Sequence, residues 1–151
     1  MRNKRIMSLV IRKMEERDRA DVLDMMRVFY SSPAVFTNGS EEIFNADIDE
    51  CVADSPYLEG YIFEVLGEVV GYGMLAKSFS TEFGKSCIWI EDLYIKESFR
   101  GRGIGSAFFN LVEEKYPRSV LRLEVEEDNE RAIKVYRKNG FEVLPYMEMK
   151  K

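Results

Sequence analysis

Histidine is absent from all 151 residues, and between Val28 and Ala76 there is no lysine or arginine. The first absence removes the serine and cysteine triads that depend on an imidazole, and most zinc sites. Any general base must then be a carboxylate, a tyrosine, a lysine or a water relay. The second absence leaves nine acidic residues in one stretch: Glu41, Glu42, Asp47, Asp49, Glu50, Asp54, Glu59, Glu64 and Glu68. Such a segment is either a solvated acidic face or a surface that repels nucleic acid and attracts cations. The flanks do not share this bias: residues 1–27 carry +3 and residues 77–151 carry +1, leaving the chain at −5.

Other features are also scarce. Cys51 and Cys87 are the two cysteines. So few, far apart and with no secretion signal, they read as reduced thiols of a cytoplasmic protein. No apolar run approaches the ~20 residues of a membrane span, and no charged-then-apolar leader opens the chain. No repeat, linker or low-complexity tract divides it. With 46% hydrophobic and 32% charged residues, the expectation is one globular domain over residues 1–151. Met1–Met7 reads as a basic, frayed end, with Met7 an alternative start.

The periodicities place the elements. Ser8–Met14 alternates as a strand. Glu16–Tyr30 carries a helical stripe, stopped at Ser31-Ser32-Pro33. Ser40 before Glu41-Glu42 caps a second helix reaching about Ala53. Tyr57–Leu66 and Val69–Phe79 form strands joined at Gly67-Glu68, and Ser86–Ile95 is a third. Gly103–Tyr116 is a helix ended by Pro117, Ser119–Glu126 a strand, and Asn129–Asn139 a helix closed by Gly140. Phe141–Lys150 reads as a final strand or short hairpin. The order β-α-α-β-β-β-α-β-α-β predicts an α/β domain, its mixed sheet covered by helices on both faces.

Chemistry concentrates between Ile88 and Ser106. A strand ends at Ile95, and Arg100-Gly101-Arg102-Gly103-Ile104-Gly105 leads into a helix. Glycines allow close backbone approach and positive φ. The first-turn N–H groups, the helix dipole and two arginines favour a phosphate there. A dinucleotide site is the rival, since Gly101-x-Gly103-x-x-Ser106 approximates its fingerprint and Glu124 and Glu126 follow about 20 residues on. Against it, Lys96 to Arg100 separate the strand from the glycines, and the loop comes after several strands instead of in the first βαβ unit.

A second segment, Asn129-x-x-Ala132-x-x-x-Tyr136-x-x-x-Gly140-Phe141, joins Arg100-x-x-Gly103-x-Gly105. Together they resemble the GCN5-related N-acetyltransferase (GNAT) family, most strongly from Trp89 to Phe141. The resemblance implies a central, mostly antiparallel sheet of six to seven strands. It also implies an opening between the fourth and fifth strands that holds acetyl-CoA. The backbone of Leu93, Tyr94 and Ile95 would bond the pantetheine arm. Arg100, Gly101, Arg102, Gly103, Ile104 and Gly105 would hold the pyrophosphate, with Asn129 adding a bond.

By the same resemblance Tyr136 would be the general acid for the leaving thiolate and Glu91 the general base, acting through a water. Each has a plainer alternative: Tyr136 as part of a packed helix face, Glu91 as a backbone partner at the splay. Alternation puts Glu91 with Trp89, Leu93 and Ile95, and Asp92 on the other face with Ile90 and Tyr94. Cys87 shares the Glu91 face as a small buried residue. Asp92 and Tyr30 are the acceptor-side candidates. Glu91-Asp92 before Leu-Tyr-Ile is similar to the polyamine-acetylating branch.

A cationic acceptor follows from the acidic stretch: a polyamine or other small amine, an aminoglycoside, or the amine of a protein lysine or N-terminus. No metal, nucleic acid or membrane partner is expected. A non-catalytic acyl-CoA-binding module and a nucleotide-binding oxidoreductase remain as alternatives. The family usually ends in two strands, whereas here only Phe141–Lys151 remain and Pro145 interrupts them. Either the hairpin is abbreviated or a partner chain completes the edge in a homodimer.

Overall fold

The structure is a computed structural model and describes residues 8–151; the segment expected to fray, Met1–Met7, lies outside them. Its strands are β1 (Leu9–Lys13), β2 (Leu58–Val65), β3 (Glu68–Ser80), β4 (Lys85–Ile95) and β5 (Val120–Leu123). Its helices are α1 (Arg19–Tyr30), α2 (Glu41–Val52), α3 (Ile104–Lys115) and α4 (Glu130–Lys138). The strands lie in one sheet in chain order, antiparallel from β1 to β4, with β5 parallel to β4. No helix among the described residues is long and apolar enough to cross a membrane.

Each sheet face carries its own core. Met25 and Met26 of α1 and Phe44 and Ile48 of α2 pack against the face that holds Ile62, Tyr72 and Met74. On the opposite face Ile104, Phe108 and Val112 of α3 meet Phe63, Val70 and Ile90. The mixed sheet with helices on both sides is as expected. Gly73 allows the close seating of α3, since a Cβ there would stand 2.6 Å from the Phe108 ring. Lys115 and Tyr116 then tie the end of α3 to β2 through Glu59, with Lys115 Nζ 2.7 Å from its carboxylate.

Local chemistry sets the boundaries. Ser40 Oγ accepts the Ile43 N–H at 3.2 Å and starts α2 as expected. The β2–β3 turn is Leu66-Gly67, with φ of 51° and 78°, one residue earlier than the Gly67-Glu68 reading. Two positive φ values in succession match the right-handed twist of the flanking strands.

Three expectations are corrected. The sheet has five strands, below the six to seven expected. Among the described residues Phe141–Lys151 forms no strand. Pro145 cannot donate to a ladder, and the side chains of Val143, Met147 and Met149 stay exposed off the sheet. The third correction concerns β4. Met74 pairs with Asp92 but Leu75 pairs with Ile90, so Glu91 bulges out of register and strict alternation fails there. Asp92 shares the α1–α2 side with Tyr94, whereas Ile90, Leu93 and Ile95 pack toward α3.

Candidate active site

The site begins where the parallel pair ends. β4 and β5 match from Cys87 and Val120 to Ile90 and Leu123. β4 then runs on to Ile95 alone. Leu93, Tyr94 and Ile95 pair with Gly73, Tyr72 and Gly71 on one side, and their other edge is open. Unpaired strand groups of this kind recruit an extended ligand. The Ile95 carbonyl is the exception, because Arg100 Nε donates to it at 2.8 Å.

The glycine loop continues from this edge. Gly101 and Gly103 have φ of 76° and 83°, and Gly103 caps α3. The first bond into the helix runs from Ala107 N–H to the Gly103 carbonyl at 3.0 Å. Among the described residues, the N–H groups from Gly101 to Ser106 have no partner. Free first-turn N–H groups with the positive helix end form an anion site. Arg102 lies 5.0 Å over the Phe99 ring and Arg100 5.8 Å from that of Tyr94.

Tyr136 is held from both ends of α4. Asn129 Oδ1 accepts the Ala132 N–H at 3.3 Å, so this side chain caps the helix and keeps its amide nitrogen free to donate to a ligand. At the other end Gly140, with φ of 91°, reverses the chain. Phe141 N–H bonds to the Tyr136 carbonyl and Gly140 N–H to that of Arg137, both at 3.0 Å. This is a Schellman closure. Tyr136 packs edge-on against Phe109 and Phe141, at 6.0 and 6.1 Å between ring centroids. Its hydroxyl makes no hydrogen bond among the described residues. Burial raises its pKa.

On the other face a cleft of about 440 Å³ opens between α2 and β4. Tyr30, Asp47, Glu50, Glu91 and Asp92 line it, with Tyr57 at its side. The bulge brings the consecutive residues Glu91 and Asp92 to this one space. Asp92 is almost fully buried, and its two oxygens accept from Tyr30 at 2.9 Å and Tyr72 at 2.7 Å. Burial raises its pKa, opposed by the two phenols. Glu91 is exposed by surface area, yet its carboxyl lies among packed atoms. That burial, with the charges of Asp92 and Glu148, raises its pKa. Burial and the charges of Asp92 and Glu91 push Asp47 up to about 6. Glu124 is pushed up to about 7 by burial and its hydrogen bond with Glu148.

Residues 21–141 match the family model described as Acetyltransferase (GNAT) family. The chain belongs to the GNAT family. It is 33% identical to a thialysine N-epsilon-acetyltransferase of Bos taurus over 93% of this chain and 88% of that one. It is 26% identical to a spermine/spermidine N(1)-acetyltransferase of Bacillus subtilis, over 90% and 89% of the two chains. Among solved structures, an aminoglycoside N-acetyltransferase in complex with CoA superposes with a TM-score of 0.78 at 16% identity. That overlap covers 95% of this chain and 93% of the other.

For this GNAT the acetyltransferase expectation is borne out. The structure brings Glu91, Asp92 and Tyr30 to one cleft, and sets Tyr136 on the α3–α4 side of the sheet. Sequence reasoning missed Asp47, Tyr72 and Glu148. The acidic stretch held Asp47 among nine equivalents. Tyr72 lies on β3, and only the β3–β4 pairing brings its hydroxyl to Asp92.

Proposed function

We propose that this GNAT transfers the acetyl group of acetyl-CoA to a primary amine of a cationic small molecule, polyamine-like or aminoglycoside-like. The observation that carries this reading is the carboxylate-lined cleft of Glu91, Asp92 and Asp47, beginning where the unpaired edge of β4 starts. The relatives named for thialysine, spermine and spermidine and the aminoglycoside enzyme all act on amines. The donor side fits too. An extended arm finds open backbone at Leu93 and Tyr94, and a pyrophosphate finds the free N–H groups of the Gly101–Gly105 loop.

Acetyl-CoA supplies the acyl thioester. Glu91, kept partly protonated at higher pH than an ordinary carboxylate, takes a proton from the acceptor ammonium directly or through water. The amine nitrogen bonds to the acyl carbon, the carbon–sulfur bond breaks, and the departing thiolate takes a proton from Tyr136. The second proton that nitrogen loses on becoming an amide returns through water to the Tyr136 oxygen, so the net proton released is the one held by Glu91. Asp92, fixed by Tyr30 and Tyr72, holds the acceptor's positive charge. Holding both reactants in place provides a large part of the acceleration.

Free-thiol release with spermidine, an aminoglycoside and an anionic amine tests the reading. Polycations are expected to be acetylated; a preference for the anionic amine would refute it. Cys51 and Cys87, both buried and unbridged, fit a cytoplasmic setting. The open outer edge of β5 supports a homodimer, and a strictly monomeric species by light scattering at high concentration would count against it.

A further inference from the structure

The charges around the cleft separate one kind of cationic acceptor from another. Four acids of the 28–76 stretch are met by cations from outside it. Arg27 reaches Glu41 at 2.5 Å and Arg19 reaches Asp49 at 2.6 Å. Arg12 reaches Glu64 at 2.8 Å and Lys115 reaches Glu59 at 2.7 Å. The carboxylates that line the cleft are not met. Among the described residues, no lysine or arginine lies within ion-pair distance of Asp47, Glu50, Glu91 or Asp92.

Their partners are neutral hydroxyls: Tyr30 and Tyr72 on Asp92, and Ser55 on Glu50 at 2.6 Å. Two cations outside the lining are already engaged. Lys77 Nζ contacts the Ser55 carbonyl and Glu59, both at 3.4 Å, and the Arg122 guanidinium lies 4.6 Å over the Trp89 ring.

From this imbalance we infer that the acceptor is a diamine or polyamine with no carboxylate, and that Asp47 of α2 is a residue that sets this specificity. The inference rests on the amine-acetylation reading above. One ammonium group is presented to Glu91 for reaction, and a second neutralises Asp47 across the cleft. A carboxylate on the acceptor would enter a space walled by like charge and lacking any cation to receive it. Like-charge juxtaposition of this kind rejects wrong partners. An amino acid that carries the same terminal amine is therefore a poor substrate.

The test is thiol release from acetyl-CoA with cadaverine, lysine, lysinamide and n-pentylamine, which offer a similar terminal amine. The expected kcat/KM for cadaverine exceeds that for lysine by at least ~10-fold, mainly through KM. Lysinamide, its carboxylate removed, recovers most of the difference. Asp47→Asn, checked for an unchanged melting temperature, narrows the preference for cadaverine over n-pentylamine. Equal turnover of lysine and cadaverine would overturn the inference. So would lysinamide as poor as lysine, or an unchanged diamine preference in a folded Asp47→Asn. If spermidine is acetylated while lysine matches cadaverine, only the specificity falls. If no amine releases CoA, the amine-acetylation reading falls and takes this inference with it.

Discussion

Glu91 and Asp92 are neighbours in a β-strand yet line the same cleft, because Glu91 bulges out of register between the Asp92–Met74 and Ile90–Leu75 pairs. An unbroken strand would have sent the two carboxylates to opposite faces. The bulge sets them side by side, and their mutual repulsion raises the pKa of Glu91 beyond what burial alone achieves.

A pH prediction follows. A raised carboxyl pKa means Glu91 holds its proton, and is lost as a base, up to a higher pH than the usual ~4.3. kcat/KM therefore climbs with pH through a limb above the ordinary carboxylate range. Glu91→Gln lowers kcat by about 10²-fold and removes that limb. A steady-state pH profile of both proteins checks this; an unaltered limb in the variant assigns it to the acceptor's own ammonium.

Tyr136→Phe keeps the packing against Phe109 and Phe141 and removes only the hydroxyl. Activity is expected to fall by about 10²-fold in kcat, with the KM for acetyl-CoA and the melting temperature nearly unchanged. A loss of stability with little loss of kcat would mean that the residue serves packing alone.

The loop prediction concerns binding. Gly103 has φ of 83°, so Gly103→Ala strains the backbone by about 1–2 kcal/mol and turns the free N–H groups off their common direction. Isothermal titration is expected to show weakened CoA affinity. Affinity for dephosphorylated pantetheine, which lacks the pyrophosphate, should change far less.

Glu59 offers a stability test away from the cleft. Burial pushes its carboxyl up, but hydrogen bonds from Lys115, Tyr116 and Tyr61 outweigh this and hold it at about 2. A depressed carboxylate pKa stabilises the fold above the unfolded value, and the contribution is lost as pH falls from the usual carboxylate range toward 2. Glu59→Ala leaves Lys115 and two phenols without their acceptor and is expected to cost about 3 kcal/mol at pH 7. The penalty shrinks in denaturant titrations at acid pH.

Much of this was legible in the chain. Ser40 before two glutamates announced α2, and Asn129 with Gly140 bracketed α4, because caps are local chemistry. Arg100–Gly105 was readable as an anion site because the glycines and the helix start are adjacent. The bulge at Glu91 was not readable, since it arises from the pairing of β4 with β3 and no glycine or proline in β4 marks it. Tyr30 and Asp92 stand out as acceptor-side candidates, but Asp47 and Tyr72 do not, because the four come from α1, α2, β3 and β4 and only packing brings them together. The last segment carries strand-like chemistry in Val143, Met147 and Met149, but residues 141–151 form no strand and these three side chains stay exposed.

The central claim is acetyl transfer to a polycationic amine, and the most direct measurement is mass analysis of spermidine incubated with acetyl-CoA and the protein. Spermidine carrying one added acetyl group is expected, with matching release of CoA and loss of both in Glu91→Gln. Acetyl-CoA that binds yet is recovered intact, beside unmodified spermidine and unmodified aminoglycoside, would contradict it.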